Sequence, residues 1–528
     1  MRKSLLFAIL VSLFFIGCDK PKSEVKVETK PETKVETPKV KDEIVISVGP
    51  AITEGGFDPI LGYGQHDPDI FHSTLLKFDE NIELQNDLAK SYEISEDKKV
   101  YTFKIRDDVK FSDGKPLTAN DIAFTYQKAK ESGSLVDLTT LEKVEALDDF
   151  TVKFTLGSPW SVFLRSVAFI GIVPKHAYTN DYGMKPIGSK AYKIAELKPK
   201  EQLILVPNEY YYGKKPFFKK VTIVNIDEDS ILATAKSGKF DVLMINPEFA
   251  KEKIEGMNLV NLKTVDTRGF NLPVVKEFVD ETGLKRGNNV TSDIAIRHAL
   301  NIGINRQNII NNALNGIGDV AYSRTRNLPW TQDKPIVSDN RVEEAIKILE
   351  NAGWILNNQS DIREKNGVKA EFIITGRVEE LQRYNLAVAL SEEAKKLGIN
   401  IIAKAEPWSN ILKTAYINPT CWGFGTYNPI DIFMAYSSTS KGYYSASSYK
   451  NTKVDELLNK ALLNTNEKDA IQDWKSAQEV ANADFPFIWL VNIRHAYFIK
   501  DGLNIGTQIP HPHGHGMPIV NNLEEWSY

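Results

Sequence analysis

The chain has 528 residues, 42% of them hydrophobic and 25% charged, enough for about three domains with substantial cores. A net charge of −4 provides no overall cationic surface, which argues against nucleic acid as a partner. Two cysteines exclude a disulfide framework, and the 10% of aromatic residues can line recognition clefts as well as cores.

At the N-terminus, Arg2 and Lys3 precede an almost wholly apolar run, Leu5–Ile16. That run is too short to span a bilayer and suits a secretory signal over 1–17. The ending F-I-G-C resembles the lipobox of bacterial lipoproteins, which implies a lipid on Cys18 and a membrane anchor at the mature N-terminus. Asp19–Glu43 mixes Lys, Glu, Pro and Thr without an apolar period, so 18–43 is expected to be a flexible tether. Cys421 is then a lone thiol, and no later apolar run approaches membrane length.

Along the body, Ile44–Val48 has a β-branched strand pattern and stops at Gly49-Pro50. A loop rich in Gly, Asp and Pro follows and carries His66. Leu84–Phe111 alternates as strands around a turn at Ser95–Lys98, and Thr118 with Asp121 three residues on approximates a capping box. Ala295–Ile310 has apolar residues at helical spacing, with Arg297 and Arg306 expected on its solvated flank. Val342–Ala352 and Glu379–Leu397 are amphipathic helices stopped by Gly353 and Gly398. Ile399–Ile402 starts a strand, Val454–Ala483 is mainly helical, and Phe485–Val491 is a buried strand. Such alternation predicts an α/β fold.

The stretch Ile509–Pro518, I-P-H-P-H-G-H-G-M-P, places three of the eight histidines, His511, His513 and His515, at alternate positions. Its prolines and glycines oppose a helix or a central strand and present the imidazoles on a loop. Neutral imidazole suits nickel, copper and zinc. Alternate residues of an extended chain sit roughly 6.5 Å apart, so the segment must bend for any two to share an ion. Without paired cysteines or a carboxylate next to the cluster in sequence, a closed structural zinc site is disfavoured. Metal capture should weaken as pH falls through the ordinary imidazole pKa of ~6.5.

Taken together, several segments resemble the extracellular solute-binding proteins of the peptide/nickel class in ABC importers. They are F-D-P, the run L-A-K-S-Y-E-I-S-E-D-K-K-V-Y-T-F-K-I-R-D-D-V-K-F-S-D-G-K-P-L-T-A-N-D-I-A-F-T, P-I-G-S-K-A-Y-K-I, N-E-Y-Y-Y-G-K-K-P-F-F-K-K-V-T-I and A-I-R-H-A-L-N-I-G-I-N-R-Q-N-I-I. They follow the family's order and cover essentially the whole body, although Ser189-Lys190 departs from its usual pair. The resemblance implies an α/β two-lobed periplasmic-binding-protein clamp of type II with an additional inserted subdomain. Lobe I would comprise 44–87, 186–274 and 494–528, the inserted subdomain 88–185, and lobe II 275–493.

The same resemblance implies a monomeric substrate-binding lipoprotein that serves an ABC permease and its ATPase subunits. Nickel is the expected cargo, as a Ni(II) complex with a small organic chelator such as histidine, and no catalytic cofactor is expected. H-P-H-G-H-G is similar to histidine loops of some nickel importers, and D-I-R-E-K-N-G at Asp361–Gly367 looks like nickel-binding members and is expected to be a surface hairpin. The metal ligands would come from His66, His511, His513 and His515. The alternative is an oligopeptide or dipeptide binder. In that reading Asp431, in W-G-F-G-T-Y-N-P-I-D-I-F, pairs with the peptide's amino terminus; in the nickel reading Trp422 and Tyr427 pack against the chelator. His72, His176, His298 and His495 are expected to be structural. Enzymatic function is not expected, because G-x-S-x-G, H-E-x-x-H and Walker A motifs are absent from the sequence.

Overall fold

The computed structural model describes residues 41–48, 56–64, 68–133, 137–227, 230–332, 334–357, 359–513 and 518–528. The signal segment, Cys18, most of the tether, His66 and His515 lie outside the described residues.

The β-branched pattern at the start of the body forms the strand Glu43–Ser47, which sits inside a nine-stranded sheet. The main path of that sheet runs Cys421–Phe424, Met257–Asn271, Phe487–Lys500, Val242–Ile245, Glu43–Ser47, Lys220–Val224, Gln202–Pro207 and Tyr192–Lys198. Glu43–Ser47 is parallel to both of its neighbours, and Gly318–Val320 pairs off the path with Phe487–Lys500. Two long antiparallel strands, Met257–Asn271 and Phe487–Lys500, tie the molecule together. Ile488, Leu490, Val491 and Ile493 enter a helical core, whereas Tyr497 and Ile499 enter the core around Glu43–Ser47. Their pairing shifts register between Lys263 and Thr267 and again between Arg268 and Gly269. A bulge of this kind re-aims side chains.

A separate antiparallel sheet, Ala89–Ile94, Val100–Ile105, Thr151–Leu156 and Leu141–Asp148, is covered by the helix Ala119–Ser132. The expected capping box starts that helix: Asp121 accepts from the Thr118 backbone N–H at 2.9 Å. Glu371–Arg377 and Asn400–Glu406 form a parallel pair joined by the helix Leu381–Lys395. Gly353 and Gly398 follow their helices with φ of 86° and 71°, a conformation that favours glycine. The segment around Asp361–Gly367 forms the expected hairpin, Ile362–Lys365 against Val368–Lys369.

Two expectations are corrected. Ala295–Ile310 is not one helix but two, Ile294–Gly303 and Arg306–Leu314. Ile304 is extended between them, and the Asn305 side chain caps the second helix by accepting from Asn308 N–H. Nor do Arg297 and Arg306 lie on a solvated flank; they are 5% and 0% exposed. Arg297 donates to the carbonyls of Thr291, Ser292 and Asp484, and Arg306 to those of Asn301 and Trp489 while pairing with Asp339. The guanidinium fork can satisfy several backbone acceptors at once, so these arginines are stable inside.

Candidate functional site

The register shift in Met257–Asn271 turns Asp266 and Arg268 into a buried ion network. Arg268 grips Asp266 through Nε–Oδ1 at 3.1 Å and Nη2–Oδ2 at 2.9 Å, and reaches Glu380 through Nη1. Arg383 holds the other oxygen of Glu380 at 2.7 Å and donates to the Cys421 carbonyl at 3.0 Å. Burial by itself would raise the Asp266 carboxyl, but Arg268 and His513 outweigh it and hold the group far below the usual carboxylate range. Glu380 is likewise held down by Arg268 and Arg383 against the effect of burial. Cys421 is pushed up to about 12, chiefly by burial, so its thiol stays protonated.

Glycines in W-G-F-G let the strand Cys421–Phe424 and the residues after it lie on this network. A Cβ on Gly425 would stand 2.2 Å from the Val265 carbonyl oxygen, and one on Gly423 2.7 Å from Arg268 Nε. The C-terminal loop is pinned to the same bulge: Val265 N–H donates to His511 O, His511 N–H to Lys263 O, and His513 N–H to Gly425 O.

This backbone path separates the histidines. His511 is fully buried, its Nδ1 3.0 Å from Nδ1 of His495 and its Nε2 3.2 Å from Gln508 Oε1. Burial pushes His495 down to about 4 and holds His511 well below the ordinary imidazole value, so both stay neutral and one Nδ1 donates to the other. His513 turns the opposite way, with Nδ1 2.8 Å from Asp266 Oδ2, and lines a cavity of about 350 Å³. The structure therefore does not bring His511 and His513 together. A carboxylate does stand beside the histidine loop, contrary to its appearance in sequence: Asp266 comes from 247 residues away. Among the described residues, no group of three or more His, Cys, Asp or Glu side chains is arranged to hold a metal ion.

The cavity beside His513 is walled by aromatic rings and two arginines, Arg377 and Arg383. Trp422 lies on it, fixed by its Nε1–H bond to Asn271 Oδ1 at 2.9 Å, stacked on Tyr443 at 5.3 Å and edge-on to Trp408 at 5.5 Å. Arg377 lies over the Trp408 ring at 5.5 Å. Asp431 also lines the cavity, but Arg324 holds its carboxylate bidentately. Tyr427 lines a different cavity, of about 450 Å³: its hydroxyl donates to Pro510 O, and its ring packs on Phe78. The remaining histidines are held by structural contacts: His72 by Asp69 and Tyr182, His176 by Asp113, and His298 by stacking on Phe485. Sequence reasoning missed Asp266, Arg377, Arg383 and Trp408. The aromatic pair Tyr443–Tyr444 in a Gly/Ser-rich loop was a usable signal; the charged residues gave none.

Two halves bridged by long strands, with an aromatic, arginine-bearing cavity near the bridge, define a solute-binding clamp. Residues 83–445 match the family described as bacterial extracellular solute-binding proteins, family 5 middle. The chain belongs to that family, whose members bind peptides or metal chelates outside the cytoplasm for an ABC permease and its ATPase and are not enzymes. It is 27% identical over 491 residues to the oligopeptide-binding protein AppA of Bacillus subtilis, covering 87% of this chain and 86% of that one. The nickel-binding periplasmic protein of Escherichia coli is 28% identical over 347 residues, 61% of this chain and 63% of that one. In structure the chain is similar to NikZ of Campylobacter jejuni in complex with Ni(L-His), with a TM-score of 0.77, 26% identity, and coverage of 92% and 100%. The two-lobed α/β fold is thus established.

Proposed function

We propose that this protein captures nickel as a complex with a small carboxylate-bearing chelator such as histidine and delivers it to its permease. The carrying observation is the Asp266–His513 pair at the edge of a cavity that also presents Arg377 and Arg383. A carboxylate on Nδ1 orients an imidazole for ligation through Nε2 and raises its basicity. The part-exposed guanidinium of Arg377 suits the carboxylate of a chelator, with Arg383 adding positive charge behind it, and the rings of Trp408, Trp422 and Tyr443 suit its organic body. His66 and His515 are the further candidate ligands, and the chelator supplies the rest of the coordination sphere. Similarity to NikZ and to the E. coli nickel-binding protein supports this reading. On the same reading, Cys18 carries a lipid, 18–43 tethers a monomeric body, and lobe I (44–87, 186–274, 494–528) closes on lobe II (275–493).

A peptide is the competing cargo, favoured by the similarity to AppA and by the second, larger cavity that Tyr427 lines. Calorimetric titration of metal-free protein with Ni(II), with and without free histidine, against di- to pentapeptides separates the two. The expected result is a nickel heat that grows with histidine and an affinity at least tenfold weaker in His513→Ala. Tight peptide binding with no nickel heat overturns the proposal.

A further inference from the structure

The cavity beside His513 has one acidic lining residue among the described residues, Asp431, against the two arginines. A carboxylate among aromatic rings is the natural seat for a ligand ammonium group. Asp431 does not offer that seat, because Arg324 holds both of its oxygens, Nε to Oδ2 at 3.1 Å and Nη2 to Oδ1 at 2.5 Å. Arg324 is 1% exposed and does not line the cavity. Its guanidinium lies over the Phe424 ring at 3.6 Å and within 5.9 Å of the Trp489 ring. It can therefore reach a ligand only through Asp431.

We propose that Arg324 is a positioning residue that sets ligand specificity: by holding Asp431 it withholds the cavity's amine anchor and turns the site from peptides with a free amino terminus toward anionic chelates. An incoming ammonium must compete with a guanidinium already in place, planar, bidentate and stacked. If it won, Arg324 would remain charged and unpaired between aromatic rings, which the interior disfavours. This is rejection by a built-in competitor rather than by the absence of a contact. With Asp431 held, Arg377 is the lining cation with the freest reach, since Arg383 is buried on Glu380 and the Cys421 carbonyl whereas Arg377 pairs through Nε with the exposed Glu379 at 3.0 Å; a guanidinium there selects for carboxylate.

The inference rests on the chelate reading in treating peptide as the rejected ligand, but its test uses no metal. Full-length, metal-free protein is titrated calorimetrically with dialanine and with N-acetyl-dialanine. The wild-type protein should prefer the free amine by no more than threefold, whether both bind weakly or neither does. A larger preference overturns the proposal. In Arg324→Gln the preference for dialanine should rise at least tenfold, vanish in Arg324→Gln/Asp431→Asn, and stay at the wild-type level in Arg324→Lys. A cooperatively melting Arg324→Gln protein without that gain also overturns it. Should that variant fail to fold, the wild-type comparison decides. Failure of the nickel reading appears separately, as a missing Ni(II)–histidine heat in the wild-type protein.

Discussion

His513 and Asp266 show how much chemistry two residues can hold and how unequally the sequence announces them. The spacing of His511, His513 and His515 marks the loop at once, whereas Asp266 sits in V-D-T-R, a segment with no feature of its own. Its role exists only because a register shift aims it at a loop 247 residues away. Replacing Asp266 with Asn keeps the shape but removes the charge beside His513 Nδ1, which the proposed metal site uses. Nickel–histidine affinity should fall roughly 10- to 100-fold without disappearing, as read by calorimetry. Thermal melting of the same variant reports, independently, what Arg268 loses. The arginines were misread for a related reason. Arg297 and Arg306 look like helix-surface charges because, beside the local carbonyls of Thr291, Ser292 and Asn301, each also needs an acceptor more than 180 residues distant, Asp484 or Trp489. Burial of a long cation is a tertiary fact, and local spacing does not encode it.

Secondary elements were more legible than their surroundings, since caps and stops are local chemistry. Thr118 with Asp121, Gly353 and Gly398 each mark a real boundary. The break at Ile304–Asn305 escaped, because the apolar period continues across it and only the Asn305 cap betrays the second start. The helix Leu381–Lys395 shows what an element does for the site. Glu380 precedes its first turn and takes Arg268 on one oxygen and Arg383 on the other, so the helix and the bulged strand share one carboxylate. Glu380→Gln should destabilise the fold by about 3 kcal/mol at neutral pH, because it leaves two guanidinium groups short of a counter-charge. The pH dependence has a defined sign. The folded-state pKa of Glu380 lies well below that of an ordinary glutamate, ~4.3, so its contribution is full above that value and lost as pH falls beneath it. Chemical denaturation at pH 7 and pH 3 should therefore show the gap between wild type and variant narrowing in acid. A gap unchanged over that range would mean that Glu380 is not held as an ion.

For the whole molecule, the strands Met257–Asn271 and Phe487–Lys500 are continuous through two cores, and their pairing is irregular only between Lys263 and Gly269. That irregular stretch is also where the C-terminal loop is stitched on. The cavity beside His513 draws Arg377, Arg383, Trp408 and Trp422 from 275–493, proposed as lobe II, and His513 from 494–528, proposed as part of lobe I. On those proposed lobe bounds, a ligand coordinated by His513 and held against the arginine-bearing wall would bridge the lobes, and its affinity would differ between open and closed forms. Closure and binding become a single equilibrium. Small-angle scattering should show a smaller radius of gyration when Ni(II) and histidine are added to metal-free protein, and a chelate at 100 times its Kd should stabilise the fold by about 2.7 kcal/mol. His513→Ala removes one end of the bridge, so it should lose most of the contraction even at concentrations that restore occupancy. If that variant contracted fully at saturation, the ligand would be gripping both lobes without His513, and the Asp266–His513 pair could not be the element that couples capture to closure.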